Sequence, residues 1–287
     1  MNSIEHIKSG TLPDRWIHGS PSGTANLDPP IAVHEYNEDF FILRQSKAIH
    51  FEAPFLYLIC GLNRAVLFDT GALQSEAKFP LRQTVEKILL KRYGKARAQI
   101  DFIVSHTHAH GDHVAADSQF IDHPYTRLVG AKIPEFTSFF GLSNWPHETA
   151  VIDLGDRALH LIPIPGHETT DLAIYDERTG IVLSGDTLYP GRLYITDWMA
   201  FKTSVNRLHD YLKDKPVTHF LGSHIEMSRE AGVDYPAGTT YQPDEVPLEL
   251  AWTELLELRA ALDALGQTPR RVVHPKFIIT PTRGGGE

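Results

Sequence analysis

Residues 105–116 read SHTHAHGDHVAA and follow directly on the largely apolar run IDFIV at 100–104. A short apolar run of this kind predicts a buried strand, so the histidines stand where a strand gives way to a loop. The small residues after them suit the start of a helix. His108, His110, Asp112 and His113 form an H-x-H-x-D-H pattern. Imidazoles suit zinc and related ions, and a carboxylate adds a hard anionic ligand. Capping and loop hydrogen bonds are the plainer use of such residues, but they give no reason to crowd three histidines and an aspartate together. Ligands spaced by two can converge on one ion while the adjacent Asp-His pair faces elsewhere. One loop can thus serve two metals.

Further ligands are expected from distant strand ends, where rigid scaffolds hold chemistry. IPGHETTD places His167 after an apolar run and a Pro-Gly turn, LSGDT places Asp186 after another, and FLGSH does the same for His224. His219 lies inside VTHFLGSH and reads as a core or sheet-facing side chain. His106 falls one step upstream of the frame set by the Asp-His pair, and reads as a support behind the ligands or as packing. His160, His209 and His274 have no ligand-like surroundings.

Outward from these motifs the chain alternates short apolar runs with turn signals. FFILRQ, APFLYLICG and AVLFDTG predict strands, the last two as a hairpin. LRQTVEKILLKRY at 81–93 has apolar residues at helical spacing and is followed by Gly94, a fitting C-terminal cap. AVIDLG, RALHLIPIPG, LAIYD and GIVLSGD read as strands, with DERTG a tight turn between the last two. Residues 201–213 predict an amphipathic helix, and 247–265 a second one that opens with a proline and is followed by Gly266. RRVVHPKFII reads as a last strand. Residues 1–30 read as an extended arm, which would suit exchange between the subunits of a homodimer, and 284–286 as frayed. Two blocks of β then α predict a layered α/β sandwich with helices outside two sheets, rather than regular βαβ alternation.

Composition narrows the partners. Of 287 residues, 42% are hydrophobic and 22% charged, which suits a sizeable folded core. The net charge is −9 with no basic run, against a sequence-independent grip on nucleic acid. A small phosphorylated substrate is not excluded, because one pocket can oppose the global sign. The single cysteine, Cys60, excludes an intrachain disulfide and a thiolate metal cluster, and reads as a core residue. The N-terminus is polar where a signal peptide is apolar, and no apolar run nears the roughly 20 residues of a membrane span. A cytoplasmic protein without membrane contact is expected.

The motifs FDTG at 68–71, HAHGDH at 108–113, PGH at 165–167, SGDT at 184–187 and GSH at 222–224 stand in the order found in the metallo-β-lactamase superfamily, which the chain resembles. The resemblance implies a four-layer αβ/βα sandwich with two mixed sheets, here as one domain over 31–287, and metals at one sheet edge. It implies two divalent ions, zinc first with iron or manganese as alternatives. His108, His110 and His167 would bind one, Asp112, His113 and His224 the other, and Asp186 would bridge them, with Asp69 orienting the ligand loop. Antibiotic-hydrolysing members generally lack the bridging aspartate. Asp186 therefore places the chain nearer the branches acting on thioesters, lactones and phosphodiesters.

Two metals about 3.5–4 Å apart can hold a bridging hydroxide at neutral pH, with Asp112 and Asp186 as the catalytic carboxylates and Asp112 also a proton shuttle. The favoured substrate is a small thioester, as for glyoxalase II, or a lactone. The glutathione-binding basic C-terminal segment of glyoxalase II has at most a weak counterpart in Arg270, Arg271 and Lys276. Phosphodiester or nuclease chemistry, iron-dependent redox chemistry and weak β-lactamase activity are the alternatives. A purely structural metal is disfavoured, because closed structural sites use four protein ligands per ion. Tyr189, Arg192 and Tyr194 are candidates for meeting substrate. The aromatic stretch 136–148 is a candidate pocket wall or core helix, and 226–246 a site rim.

Overall fold

In the first half of the chain, the central strands bury successive side chains on opposite faces. A computed structural model describes residues 7–22 and 25–282; the stretch 284–286 lies outside them. Strand β2 (Phe40–Gln45) is buried at every position. Its Phe40 and Ile42 enter one apolar cluster and its Phe41 and Leu43 another. This is why FFILRQ shows no polar alternation: both faces of the strand are covered.

The first sheet has the order β1 (Ile31–Asn37), β2, β3 (Phe55–Cys60), β4 (Arg64–Phe68), β5 (Asp101–Ser105), β6 (Thr126–Leu128). Its first four strands are antiparallel neighbours, and β4, β5 and β6 are parallel. The second sheet runs β13 (Glu249–Leu250), β12 (His219–Gly222), β10 (Ile181–Gly185), β9 (Leu172–Asp176), β8 (Ala158–Pro163), β7 (Ala150–Asp153). The cluster between the sheets takes Phe55, Tyr57 and Phe68 from the first and Leu161, Ile174 and Leu183 from the second. Outside the first sheet, α1 (Leu81–Tyr93) buries Leu81, Val85 and Leu89 against Leu56, Leu58 and Leu67. Outside the second, α4 (Trp198–Leu212) and α5 (Trp252–Leu265) bury Phe201, Val205, Leu255 and Leu258 against Ala173, Val182 and Phe220. The result is two mixed sheets flanked by helices, the layered α/β sandwich.

Local signals hold in several places. Helix α1 ends at Gly94, whose φ of 53° only glycine adopts without strain. The DERTG turn closes with Gly180 at φ 69°, its N–H donating to the Asp176 carbonyl. Helix α4 starts three residues before the expected 201, because the Asp197 carboxylate accepts from the Ala200 N–H as an N-cap.

Two expectations need correction. The helix expected from 247 begins at Trp252: Glu249 and Leu250 first pair antiparallel with Leu221 and Phe220, extending the sheet edge. The expected last strand divides into β14 (Val272–Val273) and β15 (Ile278–Pro281), which join β11 (Arg192–Ile195) in a small third sheet. Within residues 136–148, α3 (Ile133–Phe140) places Phe136, with Leu142 beyond it, in the inter-sheet core, so the core reading holds for these two.

The described part of the N-terminal arm first bonds to Tyr36 and Arg178 through Thr11 and Lys8, and then meets the chain's own loop 226–246 at His18 and Gly19. Trp16 packs edge-on against Phe55 with ring centres 4.9 Å apart, and the His18 carbonyl accepts from the Gln242 N–H. Among the described residues no helix is long and apolar enough to cross a membrane.

Candidate metal centre

The ends of parallel strands deliver the site. Phe68 pairs with Ser105 at the ends of β4 and β5, so Asp69 arrives beside the histidine loop. His108 and His110 lie in that loop; α2 (Gly111–Val114) follows at once and carries Asp112 and His113 in its single turn. β10 and β12 are parallel and end with Gly185 opposite Gly222, which brings Asp186 and His224 to the same edge. His167 follows Gly166, where an added Cβ would lie 2.4 Å from the Phe201 Cα. Only glycine lets the His167 turn approach α4 so closely.

All seven expected ligands converge, in three overlapping groups: His108, His110 and His167; His108, His113 and Asp186; and Asp112, His113 and His224. The His108 Nε2 and His167 Nε2 atoms each lie 3.0 Å from His110 Nδ1. Asp112 Oδ2 is 3.5 Å from His113 Nε2 and 3.2 Å from His224 Nε2. Asp186 Oδ2 lies 3.6 Å from His167 Nε2 and 3.5 Å from His224 Nε2, while its Oδ1 is 3.7 Å from His113 Nε2. Tetrahedral bonds of about 2.0–2.1 Å to zinc imply ligand–ligand edges of about 3.3 Å, and these separations bracket that value.

The far side of each ring fixes its tautomer. His113 Nδ1 lies 2.9 Å from Asp69 Oδ2, His167 Nδ1 2.8 Å from the Tyr194 carbonyl, and His224 Nδ1 3.1 Å from the Glu52 carbonyl. Each Nδ1–H donates outward, leaving an Nε2 lone pair facing the centre in the neutral ring. His113 Nε2 and Asp186 Oδ1 are buried without a hydrogen-bond partner. Imidazole nitrogens and carboxylate oxygens that converge at these separations form a donor set that fits a divalent cation.

Electrostatics follow from the same arrangement. Burial, then the neighbouring His113, pushes His108 well below the usual histidine range. Burial opposes ionisation of Asp112 and Asp186, but the imidazoles of His113 and His224 outweigh it and hold both carboxyls well below the carboxylate range. Both oxygens are therefore anionic at neutral pH, as ligands require.

Behind the ligands, Asp69 accepts from the Thr107 N–H at 2.7 Å and the Thr107 hydroxyl at 2.8 Å as well as facing His113. His106 faces Asp117 at 2.8 Å, and that carboxylate accepts from the Thr70 hydroxyl. The Thr70 N–H in turn donates to the His113 carbonyl at 2.7 Å, so His106 stands three hydrogen bonds behind His113. Sequence reading missed Thr107 and Asp171; the latter is buried, with Oδ1 3.8 Å from His108 Nδ1. The run ETTD after His167 was the available signal.

The three residues expected to meet substrate differ in their surroundings. Tyr189 is fully buried, its hydroxyl donates to the Arg192 carbonyl, and its ring stands edge-on to His224 at 5.7 Å. It backs a ligand instead of facing substrate. Arg192 is held at all three nitrogens, by Tyr194 Oη, by Asp234 and the Tyr235 carbonyl, and by Glu226. Its charge is therefore answered within the protein. Arg192 and Tyr194 both line a cavity of about 70 Å3 beside His224, together with Lys47, Glu52, residues 236–239 and Gln242. Loop 226–246 thus contributes directly to the rim.

The Metallo-beta-lactamase superfamily model matches residues 52–265. The chain belongs to this superfamily. Among solved structures, a metallo-beta-lactamase from Pontibacter korlensis superposes with a TM-score of 0.53 at 16% identity, covering 81% of this chain and 99% of that one. TMB-1 gives a TM-score of 0.53 at 14% identity, over 84% of this chain and 100% of its own. At such identities the likeness concerns the fold alone. Acyl-coenzyme A thioesterase MBLAC2 of Homo sapiens is 37% identical over 62 residues, 22% of this chain and 20% of that protein. Hydroxyacylglutathione hydrolase of Gloeothece citriformis is 31% identical over 99 residues, 31% of this chain and 36% of that protein. The matches therefore span a fifth to about a third of these curated relatives' length.

Proposed function

We propose that the protein is a dinuclear metal-dependent hydrolase acting on a small thioester or related ester such as a lactone. The observation that carries this reading is the place of Asp186: one carboxylate oxygen lies 3.6 Å from His167 Nε2 and 3.5 Å from His224 Nε2. An oxygen so placed belongs to both ligand groups. His108, His110 and His167 would hold one ion, Asp112, His113 and His224 the other, and Asp186 both. A divalent pair, zinc first and iron or manganese as alternatives, supplies Lewis acidity toward a carbonyl and lowers the pKa of water toward about 7.

The chain's own residues would do the rest. Asp69 and the Tyr194 and Glu52 carbonyls keep three imidazoles aimed inward. Asp112 is only partly buried, and its carboxylate can pass a proton between the centre and solvent. The adjoining cavity, about 70 Å3, suits a small substituent of the substrate. The two curated relatives, by their names, act on acyl-coenzyme A and hydroxyacylglutathione, both thioesters, which supports the thioester choice over the lactone. Glutathione itself is not part of the proposal.

The test is metal quantification per chain together with assays on thioester, lactone, phosphodiester and β-lactam substrates. The expected result is about two ions per chain, thioester hydrolysis lost on chelation, and loss of both activity and one metal in Asp186→Ala. A single iron without hydrolysis, or no metal after reconstitution, would overturn the reading.

A further inference from the structure

The cavity beside His224 is lined by a cation, Lys47, that has no ion pair among the described residues. Lys47 follows strand β2 and is 3% exposed. Its ammonium donates one hydrogen bond, to the Phe51 carbonyl at 3.1 Å, and among the described residues no carboxylate lies within ion-pair distance. An ammonium carries three donors, so two remain without a partner. The charges around it are engaged elsewhere: Arg44 holds Glu245 through two bonds of 2.6 Å, and Arg192 holds Glu226 at 2.6 Å. Glu52 is the one carboxylate on the cavity wall without an ion pair, and it is only partly buried, so water can solvate it. Lys47 is sealed from bulk water. Burying an unpaired charge is costly unless something pairs it.

A second group in the same wall points the same way. Gln242 is 4% exposed and its side-chain oxygen has no hydrogen-bond partner. Amide oxygen and nitrogen can exchange places by a flip of the side chain, so Gln242 can present a donor to a bound acceptor. The volume, about 70 Å3, admits a group of a few heavy atoms.

We propose that this cavity is a subsite for a carboxylate carried by the substrate, with Lys47 as the residue that selects for it. The inference rests on the hydrolase reading of the adjoining metal centre and narrows its substrate to a small thioester or ester bearing a single negative charge. A dianion such as a phosphate monoester fits less well, because Glu52 and Glu226 also line the wall. Burial, then Arg44, pushes the Lys47 ammonium pKa down to about 8, against the weaker opposing pull of Glu245, Glu226 and Glu52.

The test separates binding from hydrolysis. The metal-loaded protein is titrated with 5-oxohexanoate, a ketone analogue of 3-(acetylthio)propionate, and with its methyl ester. Wild type is expected to bind the acid at least tenfold more tightly than the ester. Lys47→Met should abolish that preference and Lys47→Arg should keep most of it, and the same acid-to-ester ratio should appear in the KM values for the two thioesters. Equal binding of acid and ester by wild type overturns the proposal, and it does so even if Lys47→Met does not fold. A preference retained in Lys47→Met also overturns it, since the carboxylate would then be held by the metals. Equal weakening of both probes shows a structural role only, and overturns it too. If the acid preference is found but neither thioester is hydrolysed, the hydrolase reading fails while the subsite stands.

Discussion

Asp69 Oδ2 lies 2.9 Å from His113 Nδ1, and both side chains are completely buried. The aspartate also accepts two bonds from Thr107, so one carboxylate ties strand β4 to the loop that presents His108, His110 and His113. It does so from a φ of 68°, a left-handed conformation that aspartate tolerates better than most residues. Asp69→Asn keeps the shape and removes the charge that stabilises the Nδ1–H tautomer of His113. Supporting groups of this kind commonly contribute 10- to 100-fold in metal affinity. A chelator competition titration of the variant should show a loss in that range, and an unchanged affinity would remove Asp69 from the role.

Metal loading should release protons. Burial opposes the charged forms of His113 and His224, but Asp69 for the first and Asp186 for the second outweigh it and raise both pKa values well above the usual 6.5. In the metal-free protein both rings then carry a proton at pH 7 that an ion must displace. Protons compete with the ion, so apparent affinity should rise with pH. Calorimetry in two buffers of different ionisation enthalpy measures the release directly, and zero net release at pH 7 would contradict the assignment.

The Arg44–Glu245 pair ties strand β2 to the end of the rim loop. Its side chains are 0% and 7% exposed, and the guanidinium lies over the Phe55 ring at 4.8 Å. Removing one partner of a buried pair strands the other charge and typically costs about 3–5 kcal/mol. Glu245→Ala should lower the unfolding free energy by that order in urea titrations. It should also raise hydrogen exchange across residues 236–242, and a loss below about 1 kcal/mol would show the pair to be energetically idle.

Acid stability should depend on Asp39. Its carboxylate accepts from Lys8 at 2.7 Å, Arg92 at 2.7 Å and Arg178 at 3.2 Å. Burial opposes its ionisation, yet Lys8 and then Arg92 outweigh this and hold the pKa below the ordinary 3.8. A folded-state pKa below the unfolded one gives stability that is fully present above the unfolded value and is lost as pH falls through the folded one. Asp39→Asn should therefore be less stable than wild type at pH 7 and pH 5, with the gap closing toward pH 2. A gap independent of pH would show that the ion cluster is not its source.

Local patterns made the helix at 81–93 and its glycine stop legible, because apolar spacing and a left-handed cap act within a few residues. They failed at 247–251, where pairing with β12 overrode the helix-favouring sequence, and at 272–281, where three short strands assemble from distant segments. Tyr189 and Arg192 looked equally available beside Asp186 in the sequence. Only packing shows that the hydroxyl of one and the charge of the other are already engaged.

The sequence by itself determined the layered fold and marked the seven residues that converge at the candidate centre. Ligands must be particular residue types, and a strand buried on both faces is mostly apolar, so both leave local marks. Tertiary structure alone decided which groups line the cavity beside the centre. Glu52, Lys47 and Gln242 sit in unremarkable local sequence, on segments that meet beside His224. Whether a buried charge is answered depends on what lies within a few ångströms, and that distance is set by the fold rather than by the chain.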